Sequence, residues 1–327
     1  MLKYTLKRLV MLIPVLLGVL IIVFTLNFIM PGDPVANQLP VGYTQEDYDL
    51  QQAKMGLDKP YIVQLGTYIW GVVSKLDLGT SYYSNRPVSD EISDRVWITL
   101  KIGIFSCLFT IILSLPLGIF SAVKQYSVLD YTVTTLTVIL AAVPGFVLAL
   151  GGILLFSLKL KWLPASGLST WKHYILPVFC NGLMPVAAVA RMTRSSMLEV
   201  IRQDYIRTAR SKGLKERSII FKHALKNALI PVITVIGQQF SMIIGGSIII
   251  ESIFSIPGMG MLMVNAINTR DYPEVMGITF VISAFMCVLM LIVDLVYAAV
   301  DPRIKAQFSS GKRRKEPKSN KQEVKAA

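Results

Sequence analysis

Val10–Met30 is a run of 21 residues without a single charge, long enough as a helix to cross the hydrocarbon core of a bilayer. Five more apolar runs follow, with approximate edges Ile102–Val123, Tyr131–Leu158, Tyr174–Ala190, Ala228–Ile250 and Val275–Val300. The first four of these five also carry no charge. Only 16% of the residues are charged and mean hydropathy is +0.56, so the chain is a polytopic membrane protein rather than a soluble domain. The expected fold class is therefore all-α, with six transmembrane helices. The net charge of +13 does not point to nucleic acid, because the basic residues gather at the ends of apolar runs.

Lys3, Lys7 and Arg8 precede the first run, which is too long for a signal peptide and is closed by no small-residue cleavage site. An uncleaved first span over residues 1–30 is expected. Residues 31–98 are polar, with nine acidic and five basic residues, too long for a simple connection; a small helical subdomain outside the membrane is expected there. Residues 99–300 would hold the other five spans. Six spans put both termini on one side, and the charges choose the side. An inward N-terminus places 23 Lys and Arg on the cytoplasmic face against nine outside, with Lys101 at a span edge. Both termini are thus expected in the cytoplasm. The tail 301–327 is basic and poor in apolar residues, which predicts disorder, with its first basic residues resting on anionic headgroups.

Between the fourth and fifth spans, residues 191–228 form a large basic connection. Its stretch from Asp204 to Pro231 reads as two short helices separated by Gly213. Asp204 is placed to cap the first, Lys212 lies in its last turn, and Gly213 can end it in the left-handed conformation. From Lys215 a second helical pattern (Ile219, Ile220, His223, Ala224, Asn227, Ala228) runs straight into apolar sequence. This is either a positive loop that anchors topology or a rigid knob on which a soluble partner docks.

Pro116, Pro144, Pro177, Pro185 and Pro231 interrupt the spans, with Gly145, Gly151, Gly152, Gly245 and Gly246 close by. Each proline frees a carbonyl that must find a new partner in the membrane. Singly these are kinks and packing sites. Together they fit helices that move around a pathway, with Pro144, Gly145, Gly245 and Gly246 as the candidate hinge or gate. Catalytic signals are missing. There is no GxxxxGK[ST] loop, and Gly258–Gly260 lacks both the third glycine and the strand of a dinucleotide fingerprint. His173 and His223 are far apart near span ends, and Cys107, Cys180 and Cys287 sit singly in apolar runs, so neither a metal site nor a disulfide is expected. Glu251 and Asp294 are the acids nearest the membrane interior, each close enough to a helix end to be satisfied by hydration or a helix-terminus bond. No catalytic residue and no bound cofactor are expected on this chain.

The Asp204–Pro231 stretch resembles the loop by which permease subunits of ABC importers engage their ATPases. Thr208, Ala209 and Arg210 stand where that family has a Glu-Ala-Ala triplet, and Gly213 where it has a glycine. The departures are similar to the dipeptide, oligopeptide and nickel branch, as is KHALKNALIP from Lys222. MPGDP at Met30–Pro34, MGLDKP at Met55–Pro60, LDLGTSY at Leu76–Tyr82, LPASG at Leu163–Gly167, ESIFSIPGMG at Glu251–Gly260 and DPRI at Asp301–Ile304 agree, in order, over nearly the whole chain.

The resemblance implies the type I importer permease fold in a bacterial inner or plasma membrane. It implies a second permease, two cytoplasmic ATPases that carry ATP and Mg, and an external binding protein as partners. A coupling helix around Tyr205–Lys212 would seat in an ATPase cleft, with Ala209 and Gly213 small where packing is close, Leu214 following, and Arg207, Arg210 and Lys212 forming ion pairs at the rim. ATP-driven closure would rock the bundle between inward- and outward-facing states. Peptides are the expected cargo, with nickel or a metal–chelator complex as alternative. An ion-coupled secondary transporter would need ionisable or broken-helix ion sites near the midplane; five charge-free spans and no evident inverted repeat argue against it. A scaffold or insertion factor would not need a glycine-capped docking loop.

Overall fold

A computed structural model describes residues 2–300; the basic tail and DPRI lie outside the described residues. The described residues are almost wholly helical. Five helices are long and apolar enough to cross a membrane, and a bent pair makes a sixth when it is taken as one span. α1 (Leu2–Ile29) is the first. At its far end, here called distal, Asp33 accepts the amides of Val35 and Ala36 and so turns MPGDP into a short 3₁₀ helix, Ala36–Gln38. α2 (Gln45–Met55) opens on a reciprocal capping box between Thr44 and Asp47. It closes on Gly56, whose φ of +69° suits glycine. α3 is Tyr61–Lys75.

α4 runs from Val88 to Val123 without a break, 36 residues or about 54 Å at 1.5 Å per residue. The sequence reading assigns residues 88–98 to the polar segment and starts the span at Ile102. The helix begins earlier because its charges are satisfied in place. Arg86 bridges Glu91 (3.3 Å) and Asp94 (3.1 Å), and Arg95 pairs with Glu91 one turn away. α4 therefore stands several turns clear of the apolar zone.

α5 (Val128–Ala142) and α6 (Gly145–Lys159, its end from Ile153 wound as a π-helix) meet at a 98° bend. α7 (Lys172–Ile201) returns and continues to Ile201, so the first third of the basic connection is helix, not loop. After α8 (Asp204–Ser211), α9 (Glu216–Ile253) climbs back, α10 (Met259–Thr269) caps the distal end and α11 (Tyr272–Val300) is the last span.

The centre of the bundle is the α4–α7 pair, brought together by glycine. A Cβ at Gly182 would lie 2.8 Å from the Ser106 carbonyl and from Phe109. One at Gly118 would lie 2.5 Å from Thr193 Cβ and 2.7 Å from the Ala190 carbonyl. Small residues are what let helices approach this closely where no hydrophobic effect drives them together. Thr110 donates across the same seam to the Gly182 carbonyl at 2.8 Å.

The distal subdomain is fastened to the last span by one buried carboxylate. Asp271 accepts the Ser81 hydroxyl, the amides of Tyr82 and Tyr83 (both 3.1 Å) and, more weakly, that of Glu274 (3.4 Å). It thereby holds the LDLGTSY turn against the start of α11. Asp271→Asn should cost about 2 kcal/mol, since an amide nitrogen would then face backbone donors. Faster proteolysis of the 76–87 turn in the solubilised protein is the expected result; an unchanged cleavage rate would show that the turn is held otherwise.

Candidate functional site

α8 begins where the Gln203 carbonyl takes the amides of Ile206 and Arg207. Gln203 is thus the N-cap, with extended backbone and no side-chain bond. Asp204, expected at that position, is instead the first helical residue. Its carboxylate projects into solvent 3.8 Å from Arg207, still at the positive end of the helix. The C-terminus is as expected from the sequence. Gly213 takes φ +74°, its amide bonds to the Arg210 carbonyl, and the Leu214 amide reaches back to Ala209.

The helix has two unlike faces. Ile206 is fully buried and Ala209 is 8% exposed; both join a core with Ile119 and Ala122 of α4, Met197 of α7, and Ile219, Ile220 and Ala224 of α9. Ala209, assigned by the resemblance to close packing on a partner, therefore packs against its own bundle. Arg210, assigned to the rim, is engaged by Glu216 through two contacts of 2.6 and 3.2 Å, which close the turn and raise the guanidinium further above its usual value. Tyr205 accepts a bond from Asn227 at 2.8 Å. Asp204, Arg207, Thr208, Ser211, Lys212, Gly213 and Leu214 are exposed and form the face open to a partner. An eight-residue helix is too short to persist alone, so the packing of Ile206 and Ala209 is what holds it. Three spans converge on that small core.

Of the hinge candidates, Pro144 and Gly145 lie at the 98° bend. Pro144 disfavours helical backbone at Val143, which is extended (φ −92°, ψ 121°). Gly245 and Gly246 lie inside unbroken α9. There a Cβ would meet Met286 at 3.8 Å and the Asn181 carboxamide oxygen at 3.3 Å, so these glycines mark close passages past α11 and α7 rather than a bend.

Two polar constellations brace the bundle; the sequence pointed to Glu251 as an acid that a helix terminus could satisfy, and not to Asp130. Asp130, buried near the α8 end, receives Arg194 as a two-pronged contact (Nε 2.6 Å, Nη2 2.8 Å), with the Ser121 hydroxyl and the Tyr126 amide completing its shell. It joins α4, α5 and α7. The available signal was Ser127-x-x-Asp130, a helix start whose Ser127 hydroxyl accepts the Asp130 amide. The second is Glu251, wholly buried, whose carboxylate accepts the Gly260 amide at 2.6 Å while the Met259 amide bonds to Thr99 at 2.9 Å. A Cβ at Gly258 would sit 2.3 Å from that carboxylate, and one at Gly260 2.4 Å from the Ile248 backbone. The motif ESIFSIPGMG is thus a carboxylate set at the N-terminus of α10, with glycines where a side chain has no room. Asp294 pairs with Arg8 at 2.8 Å and ties the first span to the last.

At the distal end a cavity of about 940 Å³ lies between α1, the subdomain and α11. Asn27, Tyr68 and Tyr272 line it, each with a buried polar atom that no protein group satisfies. Burial pushes the Tyr68 and Tyr82 hydroxyls further above their ordinary value.

Residues 114–306 match the model of the binding-protein-dependent transport system inner membrane component, and residues 1–103 match the N-terminal model of such membrane components. The chain belongs to this family. Members are membrane permeases rather than enzymes, and the two matched regions meet within α4, between the subdomain end of that helix and its membrane end. The chain is 40% identical to the dipeptide transport system permease protein DppB of Alkalihalophilus pseudofirmus, over 93% of its own length and 100% of that protein's. It is also 40% identical to the glutathione transport system permease protein GsiC of Salmonella choleraesuis, over 93% and 99%. Among solved structures, a chain of the inward-facing MetNI methionine ABC transporter superposes with a TM-score of 0.55 at 19% identity, over 64% of this chain and 96% of that one. This last likeness concerns the fold, that of an ABC transporter permease.

Proposed function

We propose that this permease forms one transmembrane half of an ATP-driven importer of peptides. End-to-end identity of 40% to proteins named as dipeptide and glutathione permeases carries the reading. In it, α8 is the coupling helix, seated in one of two cytoplasmic ATPases that hold the ATP and Mg. Its exposed face, with Asp204, Arg207, Thr208, Lys212 and Leu214, is offered to the ATPase. Ile206 and Ala209 transmit the motion inward. The excess of Lys and Arg around α8 supports placing that end, and both termini, in the cytoplasm of a bacterial cell. The distal subdomain then faces an external binding protein, and a second permease of the type I fold completes the pathway. The bend at Pro144 and Gly145 would be a point about which α5 and α6 move.

The test is reconstitution. The permease, co-purified with its partner permease and ATPases in proteoliposomes, should take up short peptides only with ATP and binding protein present. Uptake of nickel without peptide would move the reading to metal import, and uptake without ATP would end it.

A further inference from the structure

α3 is built as a membrane-surface helix. Pro60 to Ser74 is 15 residues without a charge, flanked by Lys59 and Lys75. Tyr61, Leu65, Tyr68 and Val72 turn inward. The opposite face carries Ile62 (71% exposed), Val63, Trp70 (70%) and Val73 (62%). That face also holds Thr67 and Ser74, and both fold their hydroxyls back onto their own helix, Thr67 to the Val63 carbonyl at 2.8 Å and Ser74 to the Trp70 carbonyl at 2.5 Å. Its two hydroxyls thus already have acceptors, the arrangement a helix needs where water is scarce.

Its position fits the same environment. Tyr61 lies 5.0 Å from Phe28 and 5.8 Å from Phe24, Tyr68 lies 6.0 Å from Phe24, and Val72 shares a core with Leu20. α3 therefore packs beside the last turns of α1, a membrane span whose outward residues there, Ile21, Ile22, Leu26 and Ile29, are themselves exposed. The apolar stripe of α3 continues that surface.

We propose that α3 lies in the headgroup–acyl boundary of the distal leaflet, with Ile62, Val63, Trp70 and Val73 among the acyl chains and Lys59 and Lys75 reaching the phosphates. Lipid is the occupant because the stripe is continuous with a span's lipid face, carries a tryptophan at the interface and is bounded by cations with long apolar stems. The inference rests on membrane insertion alone and is independent of cargo and of ATPase docking. It gives the subdomain a fixed height above the bilayer.

Spin labels on single cysteines replacing Ile62, Trp70 and, as a water-exposed reference, Val41 would test it. The full chain would carry Cys107, Cys180 and Cys287 replaced by alanine, in phosphatidylcholine–phosphatidylglycerol nanodiscs. Labels at 62 and 70 should collide with oxygen severalfold more than with a neutral nickel chelate, and the label at 41 the reverse. Equal behaviour at all three sites, or protection of 62 and 70 from both reagents as under a docked protein, would overturn the proposal. The cysteine-containing chain provides a second measurement through quenching by phosphatidylcholine brominated near the headgroup. The Trp70→Phe protein should lose a large part of the quenching; no loss would also overturn it.

Discussion

Arg194→Ala should destabilise the protein by about 3 kcal/mol and loosen the bundle at the α8 end. The reason is what the substitution leaves behind. Asp130 is buried, and Arg194 supplies two of its four charge-assisted or neutral bonds. Removing one partner of a buried pair typically costs about 3–5 kcal/mol, because the remaining charge stays desolvated. The Arg194 side chain is 28% exposed, and Ser121 and Tyr126 remain, which sets the lower end of that range. The pair itself need not be strongly stabilising, so the double substitution Asp130→Ala with Arg194→Ala should recover much of the loss. The measurement is the fraction of each variant that stays monodisperse after heating in nanodiscs. A single variant as robust as the parent, or a double variant worse than the sum of the singles, would show that this contact is not the clamp between α4, α5 and α7.

What the sequence revealed depended on whether the physics was local. Span existence, the glycine stop at Gly213 and the helical continuation from Lys215 follow from hydropathy and backbone preference within a few residues, and they appear in the structure where expected. Boundaries set by charge were displaced. The reading began the second span at Ile102 and ended the fourth at Ala190, leaving Glu91, Arg95, Arg191 and Arg194 to the polar connections. They are helical because each finds a partner: Glu91 with Arg86 and Arg95, Arg194 with Asp130, and Arg191 with the Thr137 carbonyl at 3.1 Å. The pairs of Arg194 and Arg191 join residues 64 and 54 positions apart and leave no periodic trace, whereas Glu91 and Arg95, one turn apart, carry the i,i+4 spacing of a helix pair. The faces of α8 were hidden for a similar reason. An eight-residue helix with two apolar positions does not say which side its bundle lies on, so Ala209 could be read as facing a partner. Only the convergence of Ile119, Met197 and Ile219 settles it.

That division of faces yields the second large effect. In the proposed importer, Ile206→Ala should lower peptide uptake at least tenfold while leaving the ATPases bound and hydrolysing ATP. Truncating a fully buried isoleucine typically removes about 2–5 kcal/mol of packing, and Ala209 is the one other α8 residue in the buried core against the spans. The exposed face would still dock, but its motion would no longer be delivered to α4, α7 and α9. Charge reversal on the other face, Arg207→Glu with Lys212→Glu, should act oppositely. It leaves the internal core alone, so the isolated permease should be as stable as the parent, yet assembly with the ATPases should weaken and become more salt-sensitive. The informative quantity is peptide transported per ATP hydrolysed, measured beside complex recovery. An Ile206→Ala complex with a normal ratio would mean that force enters the bundle elsewhere. A charge-reversed permease that assembles normally would mean that the ATPase grips a different surface from the one α8 presents.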